Sequence, residues 1–549
     1  MRIRKIPPAA NCHSFPLLIK SILAYSLILD PEQEIVYRDL VRYNYHQLNR
    51  RVRKLANVLK DLGMDGGETI AVMDYDSHRY LECYFAIPMT GNVLHTINWR
   101  LSPAQILYTI NHAADTVLFV NADFLPLLEK FAGEMPTVKA IIVLTDGALP
   151  PAGALRIKGE YEVLLSGASD QYDFPDFEED AVATTFYTTG TTGDPKGVYF
   201  SHRQLVLHTM SLAGTFGFAG GAACRISSDD VYMPLTPMFH VHAWGFPFLA
   251  TLYAMKQVYV GKMEPAMIAG LLDREKPTLS HCVPTILQMV LKCPEAADLD
   301  LSVWKVVIGG ASLPGSLARA ALGRGIDIIS GYGMSETCPL IATSHIDLKD
   351  KNRDLDWQIV ARTRTGIPTA FVDMKLITPE GGEATADDKE SGELVLRAPW
   401  LTQGYVNDRE GGEKLWKDGY LHTGDVATID SEHSLKISDR IKDVIKSGGE
   451  WVSSIALENF IGLQAAVAEV AVVGMPDAKW GERPYALVVI KPGYTLSVPE
   501  LRAHIQQFID SGRISKWAMP EQFEFGDSIP KTSVGKIDKK RIRATLVRE

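Results

Sequence analysis

Tyr187-Thr-Thr-Gly-Thr-Thr-Gly-Asp-Pro-Lys-Gly197 is the stretch on which the reading of this chain turns. Its three glycines allow backbone conformations closed to other residues and let amides approach a ligand closely. Four threonine hydroxyls add donors and Lys196 adds positive charge, all within eleven residues. A polyphosphate is the natural guest of such a loop. The spacing is not that of the G-x-x-x-x-G-K-[ST] phosphate loop, since Lys196 follows Pro195 and precedes Gly197. The bland alternative is a flexible polar surface loop, and so dense a set of hydroxyls, glycines and charge argues against it.

Outward from the loop, the chain alternates short apolar runs with helix-like stretches. Tyr45, Leu48, Val52, Leu55, Val58 and Leu59 recur at helical spacing after a strand that begins near Glu34. Thr69–Met73 reads as a buried strand, His78–Met89 as a helix and Thr116–Val120 as another strand. The alternation continues through strands at Lys139–Leu144, Val231–Leu235, Gln257–Val260 and Val306–Gly309, with helices at Glu264–Lys276 and Thr285–Leu291. Such a pattern predicts an α/β fold with mostly parallel sheets. From about Gly366 the strands shorten and charged, Gly-containing turns multiply: Met374–Ile377, Gly392–Arg397 and Leu435–Ile437. A last small unit, with strands at Val467–Val473 and Tyr485–Ile490, begins at a boundary placed between Asp439 and Lys442.

The 549 residues exceed what one compact domain usually holds, so a large domain with a satellite is expected. A net charge of -10 argues against a nucleic-acid scaffold, although a local site can still be basic. Six cysteines at positions 12, 83, 224, 282, 293 and 338 form no CxxC pair and match neither a zinc site nor a disulfide framework. Arg2, Arg4 and Lys5 precede an apolar stretch, Phe15 to Leu29, that imitates a signal peptide. Pro7, Pro8 and Lys20 break that pattern. No uninterrupted apolar run is long enough to cross a bilayer. The expectation is a soluble, cytoplasmic protein.

Further blocks carry chemistry. Gly309-Gly310-Ala311 ends a buried strand, where small residues let a flat ring approach the backbone. Gly331-Tyr-Gly-Met-Ser-Glu-Thr337 follows the apolar run Ile326–Ile329, and ligands of open α/β sheets bind beyond strand carboxyl ends. Met238-Phe-His-Val-His-Ala-Trp244, Tyr420-Leu-His-Thr-Gly-Asp425, Asp439-Arg-Ile-Lys-Asp443, Ser447-Gly-Gly-Glu450 and Pro530-Lys-Thr-Ser-Val-Gly-Lys536 complete the set. In isolation His240 beside aromatics would be structural, Glu336 an ordinary surface acid, Arg440 a solvated charge and Lys536 part of a basic tail.

In this order, the blocks resemble those of the adenylate-forming superfamily of acyl-CoA synthetases, luciferases and peptide-synthetase adenylation domains. Within it the chain looks most like the medium- and long-chain fatty acyl-CoA synthetases. The resemblance covers nearly the whole chain. It implies a large N-terminal domain of stacked α/β sheets with a β-rich subdomain, residues 1–439, and a small mobile α+β lid, residues 440–549. It implies that Thr188, Thr189, Gly190, Thr191, Thr192, Gly193 and Lys196 hold the ATP phosphates. Gly310, Ala311, Tyr332 and Gly333 would surround the adenine, with Tyr332 stacked on it. Thr337 would meet phosphate, Glu336 magnesium, and Asp425 and Arg440 the ribose. His240, Trp244, Gly309, Gly331 and Met334 would line the acyl site, with Trp244 gating the tunnel; His242 has no assigned role. Lys536 would be the catalytic lysine, Lys442 the hinge, and Ser447, Gly448 and Gly449 the turn along which the pantetheine arm enters.

The resemblance thus implies an ATP-dependent ligase that activates a fatty acid as acyl-AMP and passes it to coenzyme A. ATP, Mg2+ and coenzyme A are the expected cofactors, a fatty acid the partner substrate, and a homodimer the expected assembly. Three alternatives stay open: a ligase for an aryl, short thioether or dicarboxylic acid; a carrier-protein adenylating module; and a non-catalytic nucleotide-binding regulator. Two departures are modest: Ser431-Glu-His-Ser434 stands where relatives usually carry a glycine, and Gly220–Cys224 looks like a small loop elaboration.

Overall fold

In the computed structural model, the repeat that begins at Tyr45 forms a helix, Tyr45–Asp61, whose apolar stripe is buried. Asn44 and Gln47 cap it reciprocally, each side chain accepting from the other's backbone N–H, which satisfies two of the donors a helix start leaves free. Each large side chain on the stripe contributes roughly 1.5–3 kcal/mol relative to exposure. The structure describes residues 3–546 except 152, 189–193, 219–220, 222, 448–449 and 533–535. Thr189, Gly190, Thr191, Thr192, Gly193, Gly448 and Gly449 therefore lie outside the described residues, as do Gly220 and Ala222 of the Gly220–Cys224 elaboration.

Four sheets organise the described residues. The first runs Ile157–Glu160, Ala140–Leu144, Asp115–Asn121, Thr69–Met73, Val93–Thr96, Val182–Thr188 and Lys196–Ser201, parallel except for its last pair. The second has nine strands. Its central run, Asp327–Gly333, Lys305–Ile308, Leu279–Cys282, Val231–Tyr232, Lys256–Tyr259 and Glu34–Tyr37, is parallel, with antiparallel strands at both edges. A continuous core that includes Tyr84, Phe186, Phe200, Phe246 and Trp400 spans the space between them. Each sheet also buries its outer face under helices. Both faces being covered explains why these strands read as continuous apolar runs rather than alternating ones.

One strand is shorter than its composition suggests. Val231–Leu235 enters the ladder as Val231–Tyr232 only, because Pro234 has no N–H to donate. Met233 and Leu235 still donate to Leu279 and His281.

A third, antiparallel sheet of Asp373–Ile377, Gly392–Arg397, Trp416–Lys417, Tyr420–Ile429 and Leu435–Arg440 follows. The Ser431–Ser434 turn closes without glycine: His433 takes φ 60°, and the Asp430 carboxylate accepts the N–H groups of Glu432 and Ser434. The fourth sheet begins at Ile445 and joins Gly481–Ile490, Val467–Asp477, Glu450–Val452 and Gln522–Phe525 around cores of its own. Among the described residues no helix is long and apolar enough to cross a membrane.

Candidate active site

The carboxyl ends of three parallel strands, Val231–Tyr232, Leu279–Cys282 and Lys305–Ile308, deliver Leu235, Pro237, Val283 and Gly310 to one small cavity of about 50 Å³. His240, Trp244, Met263 and Ile286 line it too, as does Lys536 from the last sheet's side of the molecule. The Lys536 hairpin closes through Thr532, whose N–H donates to the Lys536 carbonyl at 2.7 Å and whose hydroxyl accepts the Lys536 N–H at 3.2 Å. Burial pushes the Lys536 ammonium down to about 8, Arg440 pushes the same way, and Asp425 and Glu336 pull back. His240 is pushed down to about 3, by burial first and then by Lys536 and Arg100. Its imidazole is therefore neutral at physiological pH and offers one donor and one acceptor.

Arg100 was missed in the sequence. It lines the same cavity, four residues past the end of the Val93–Thr96 strand, with its guanidinium 4.9 Å from the Trp99 ring centroid. Burial lowers its pKa against the pull of Asp76. A lone arginine has no periodic mate to mark it; only its position just past a parallel strand end could have pointed to the site.

Trp244 closes the cavity on the glycine side. A Cβ on Gly309 would lie 3.0 Å from Trp244 Cη2 and 2.8 Å from the Gly331 carbonyl oxygen. Only glycine admits both the ring and the neighbouring strand there. The approach to Trp244 is unusual: Val241, His242, Ala243 and Trp244 have φ of 48°, 54°, 47° and 59°, a full left-handed turn without glycine. L-residues pay about 1–2 kcal/mol each for that conformation. Packing holds it. Met238 N–H donates to Asp76 Oδ1 at 2.8 Å, the Tyr84 hydroxyl donates to the Met238 carbonyl, and Thr96 donates to the Phe239 carbonyl at 2.9 Å. His242 is fully buried among Tyr84, Phe186, Phe200 and Phe248, with no hydrogen-bond partner on either ring nitrogen among the described residues, and burial pushes it down to about 3.

A second cluster lies across the Tyr332 strand. Asp425 and Arg440 are register partners on neighbouring strands, and Arg440 Nε lies 3.3 Å from Asp425 Oδ1. The Tyr332 hydroxyl donates to Asp425 Oδ2. A carboxylate has about four lone-pair sites, so Asp425 can hold both partners and still accept ribose hydroxyls. Burial raises its pKa, while Arg440 and Tyr332 oppose that. Gly333 is dictated by its neighbours: a Cβ there would sit 1.7 Å from the Pro339 carbonyl oxygen. Gly333→Ala is expected to cost about 1–3 kcal/mol by overpacking. Calorimetry should show a melting temperature lower by a few degrees, and no change would mean that the Pro339 backbone yields freely.

The third cluster lies at the two ends of the Thr- and Gly-rich segment. Thr188 and Lys196 are Cα partners on the two strands that flank the phosphate loop, so the described ends of the loop form a hairpin. Lys196 Nζ lies 3.3 Å from Asp408 and 4.6 Å from the Tyr405 ring centroid. Tyr405 donates to Glu336 Oε1 at 2.8 Å. Thr337 is fully buried, accepts the Met334 N–H at 2.9 Å and donates to backbone carbonyls of its own turn, so in this structure its hydroxyl closes that turn. Ser335, two residues earlier and half-buried, is the hydroxyl of this segment that remains open. Met334 is half-buried and Ala311 exposed at the rim.

Lys442 and Ser447 are not among the cavity residues. Lys442 is exposed just after the last rung of the third sheet, and Ser447 is buried beside Gly481 with its hydroxyl accepting from Arg483 at 3.2 Å.

Comparison with known proteins gives the family and the fold. Residues 29–406 match the family described as AMP-binding enzyme, and residues 456–536 match the AMP-binding enzyme C-terminal domain. A long-chain-fatty-acid–CoA ligase of Thermus thermophilus is 38% identical over 518 residues, 93% of this chain and 92% of the relative. A 3-methylmercaptopropionyl-CoA ligase of Ruegeria pomeroyi is 35% identical, covering 96% of this chain and 97% of the relative. An anthranilate CoA ligase solved with anthranoyl-AMP has the same fold, with a TM-score of 0.84 at 23% identity over 97% of this chain and 99% of that one.

Proposed function

Because the chain belongs to the AMP-binding enzyme family, we propose that it is an ATP-dependent ligase joining a fatty acid to coenzyme A through an acyl-adenylate. The observation that carries this reading is Lys536, brought from the C-terminal side into the cavity lined by His240, Trp244 and Gly310. In the first half-reaction the acid's carboxylate oxygen attacks the ATP α-phosphorus and pyrophosphate leaves. Little covalent help from protein is needed; positioning and cancellation of charge do the work. Lys536 neutralises the two anions as they meet, and Lys196 does the same at the leaving phosphates. Neutral His240 donates a hydrogen bond toward the carboxylate end, and Asp425 with Arg440 and Tyr332 holds the nucleoside.

Glu336 fits magnesium. It is an oxygen donor, nearly buried and fixed through one oxygen by Tyr405, and magnesium is commonly held by one or two carboxylates plus substrate phosphates. Among the described residues no cluster of three or more His, Cys, Asp or Glu could hold a metal alone, so the ion would arrive with the polyphosphate. When bound it would draw charge from the phosphate oxygens.

In the second half-reaction the coenzyme A thiol attacks the acyl carbonyl, the thioester forms and AMP departs with the electron pair. Rotation of residues 440–549 about Lys442 withdraws Lys536 and presents the segment that begins at Ser447, so one site serves two nucleophiles in succession.

The test is AMP formation with ATP, magnesium and coenzyme A across saturated acids from short to long, with benzoate and a dicarboxylate alongside. A maximum at one alkyl length is the expected result. A second reading, a ligase for a short or polar acid, draws support from the small cavity and from Arg100 in its lining. Turnover on such acids with none on alkyl acids would establish it.

A further inference from the structure

We propose that Tyr405 is a positioning residue for the adenylation half-reaction: its hydroxyl fixes the Glu336 carboxylate while its ring face holds the Lys196 ammonium. One side chain then sets the spacing of the two groups that meet the polyphosphate, on the reading given under Proposed function. The geometry is specific. The hydroxyl donates to Glu336 Oε1 at 2.8 Å, and Lys196 Nζ stands 4.6 Å from the ring centroid.

The backbone ties Tyr405 to both partners. It forms a bridge with Val198, and Val406 N–H donates to the Gly197 carbonyl at 2.8 Å, next to Lys196. Three residues before Tyr405, Thr402 N–H donates to the Glu336 carbonyl at 3.0 Å and its hydroxyl to the Tyr199 carbonyl at 3.0 Å. Asp408, three residues after it, pairs with Lys196 at 3.3 Å and spends its other oxygen on the Gly411 N–H at 2.8 Å. Segment 402–408 is thus stitched to the phosphate hairpin on one side and to the Glu336 turn on the other.

The chemistry asks for such a strut. A terminal carboxylate torsion is broad, so an unanchored Glu336 would present its oxygens in many directions. A lysine on a four-carbon stem is looser still, and an aromatic face attracts its ammonium without neutralising it. A charged partner such as Asp408 must be displaced by incoming phosphate, whereas the ring can stay.

Two variants separate the contributions. Tyr405→Phe keeps the ring and removes the hydroxyl; Tyr405→Leu removes both. Binding of α,β-methylene-ATP is measured by calorimetry with and without magnesium, and transfer from supplied acyl-adenylate to coenzyme A is measured beside it. For Tyr405→Phe the magnesium concentration giving half-maximal enhancement should rise about tenfold, with magnesium-free binding unchanged. For Tyr405→Leu magnesium-free binding should also weaken, by about threefold or more. Transfer to coenzyme A should match wild type in both. A Tyr405→Phe enzyme with the wild-type magnesium requirement overturns the inference alone, as does an equal fall in both half-reactions. Wild-type binding that ignores magnesium overturns the Glu336 assignment and the inference with it.

Discussion

Lys536→Ala is expected to slow acyl-adenylate formation by at least about 10²–10³-fold while leaving transfer from supplied acyl-adenylate to coenzyme A near wild type. The asymmetry follows from where the ammonium stands. It lines the cavity beside His240 and Gly310, where the proposed reaction brings two anions together. Transfer to the thiol brings no second anion to that point. Pyrophosphate exchange and single-turnover thioester formation read the two halves separately, and equal losses would refute the division of labour. A pH profile gives an independent check. Burial and Arg440 have already lowered the Lys536 pKa to about 8 in the free enzyme. The useful form is the protonated one, so kcat/KM for adenylation should be full below that value and fall as pH rises through it. Bound ATP and acid favour the charged form, so kcat should hold to higher pH than kcat/KM. Lys536→Arg should shift the fall out of the accessible range, even if its geometry lowers the rate.

Trp244→Ala is expected to move the acyl-length optimum upward. The indole stands against Gly309 and Gly310 and shuts the cavity at about 50 Å³, too little for a long alkyl chain. Each further methylene admitted past that point is worth about 0.8 kcal/mol, near fourfold in affinity. An acid two methylenes longer than the wild-type optimum should therefore gain about fifteenfold in kcat/KM. Removing a buried tryptophan typically costs about 3–5 kcal/mol, so the melting temperature should fall as well. Steady-state assays over an acid series decide the matter. A lowered melting temperature with an unchanged length profile would show that the tunnel does not run past Trp244.

Sequence and structure agree most closely where local physics left one solution. Thr69–Met73 and His78–Met89 have the same limits in both, since a five-residue apolar run fits a buried strand and Ser77 caps the helix that follows. The two clusters around Asp425 and Lys536 were legible as motifs, but their meeting was not. Asp425 and Arg440 face each other because a strand register puts them there, and Lys536 reaches His240 across some 300 residues of chain. The turn that Thr337 closes was not legible for a related reason: a hydroxyl in a promising motif looks the same whether it points at a ligand or bonds to its own turn. Arg100 and Tyr405 carry no periodic signal, and each matters only through partners supplied by distant strands.

The left-handed turn ahead of Trp244 has an evolutionary consequence. Its conformation is unfavourable for every residue in it, so it persists only while the aromatic cage around His242 outweighs that cost. Phe186, Phe200 and Phe248 touch His242 behind the gate and are absent from the cavity lining. If Trp244 gates the tunnel as proposed, drift at those three positions would still reset how readily it stands open. Substrate range in a lineage of such enzymes can therefore wander through residues that a comparison of acyl pockets alone would score as identical.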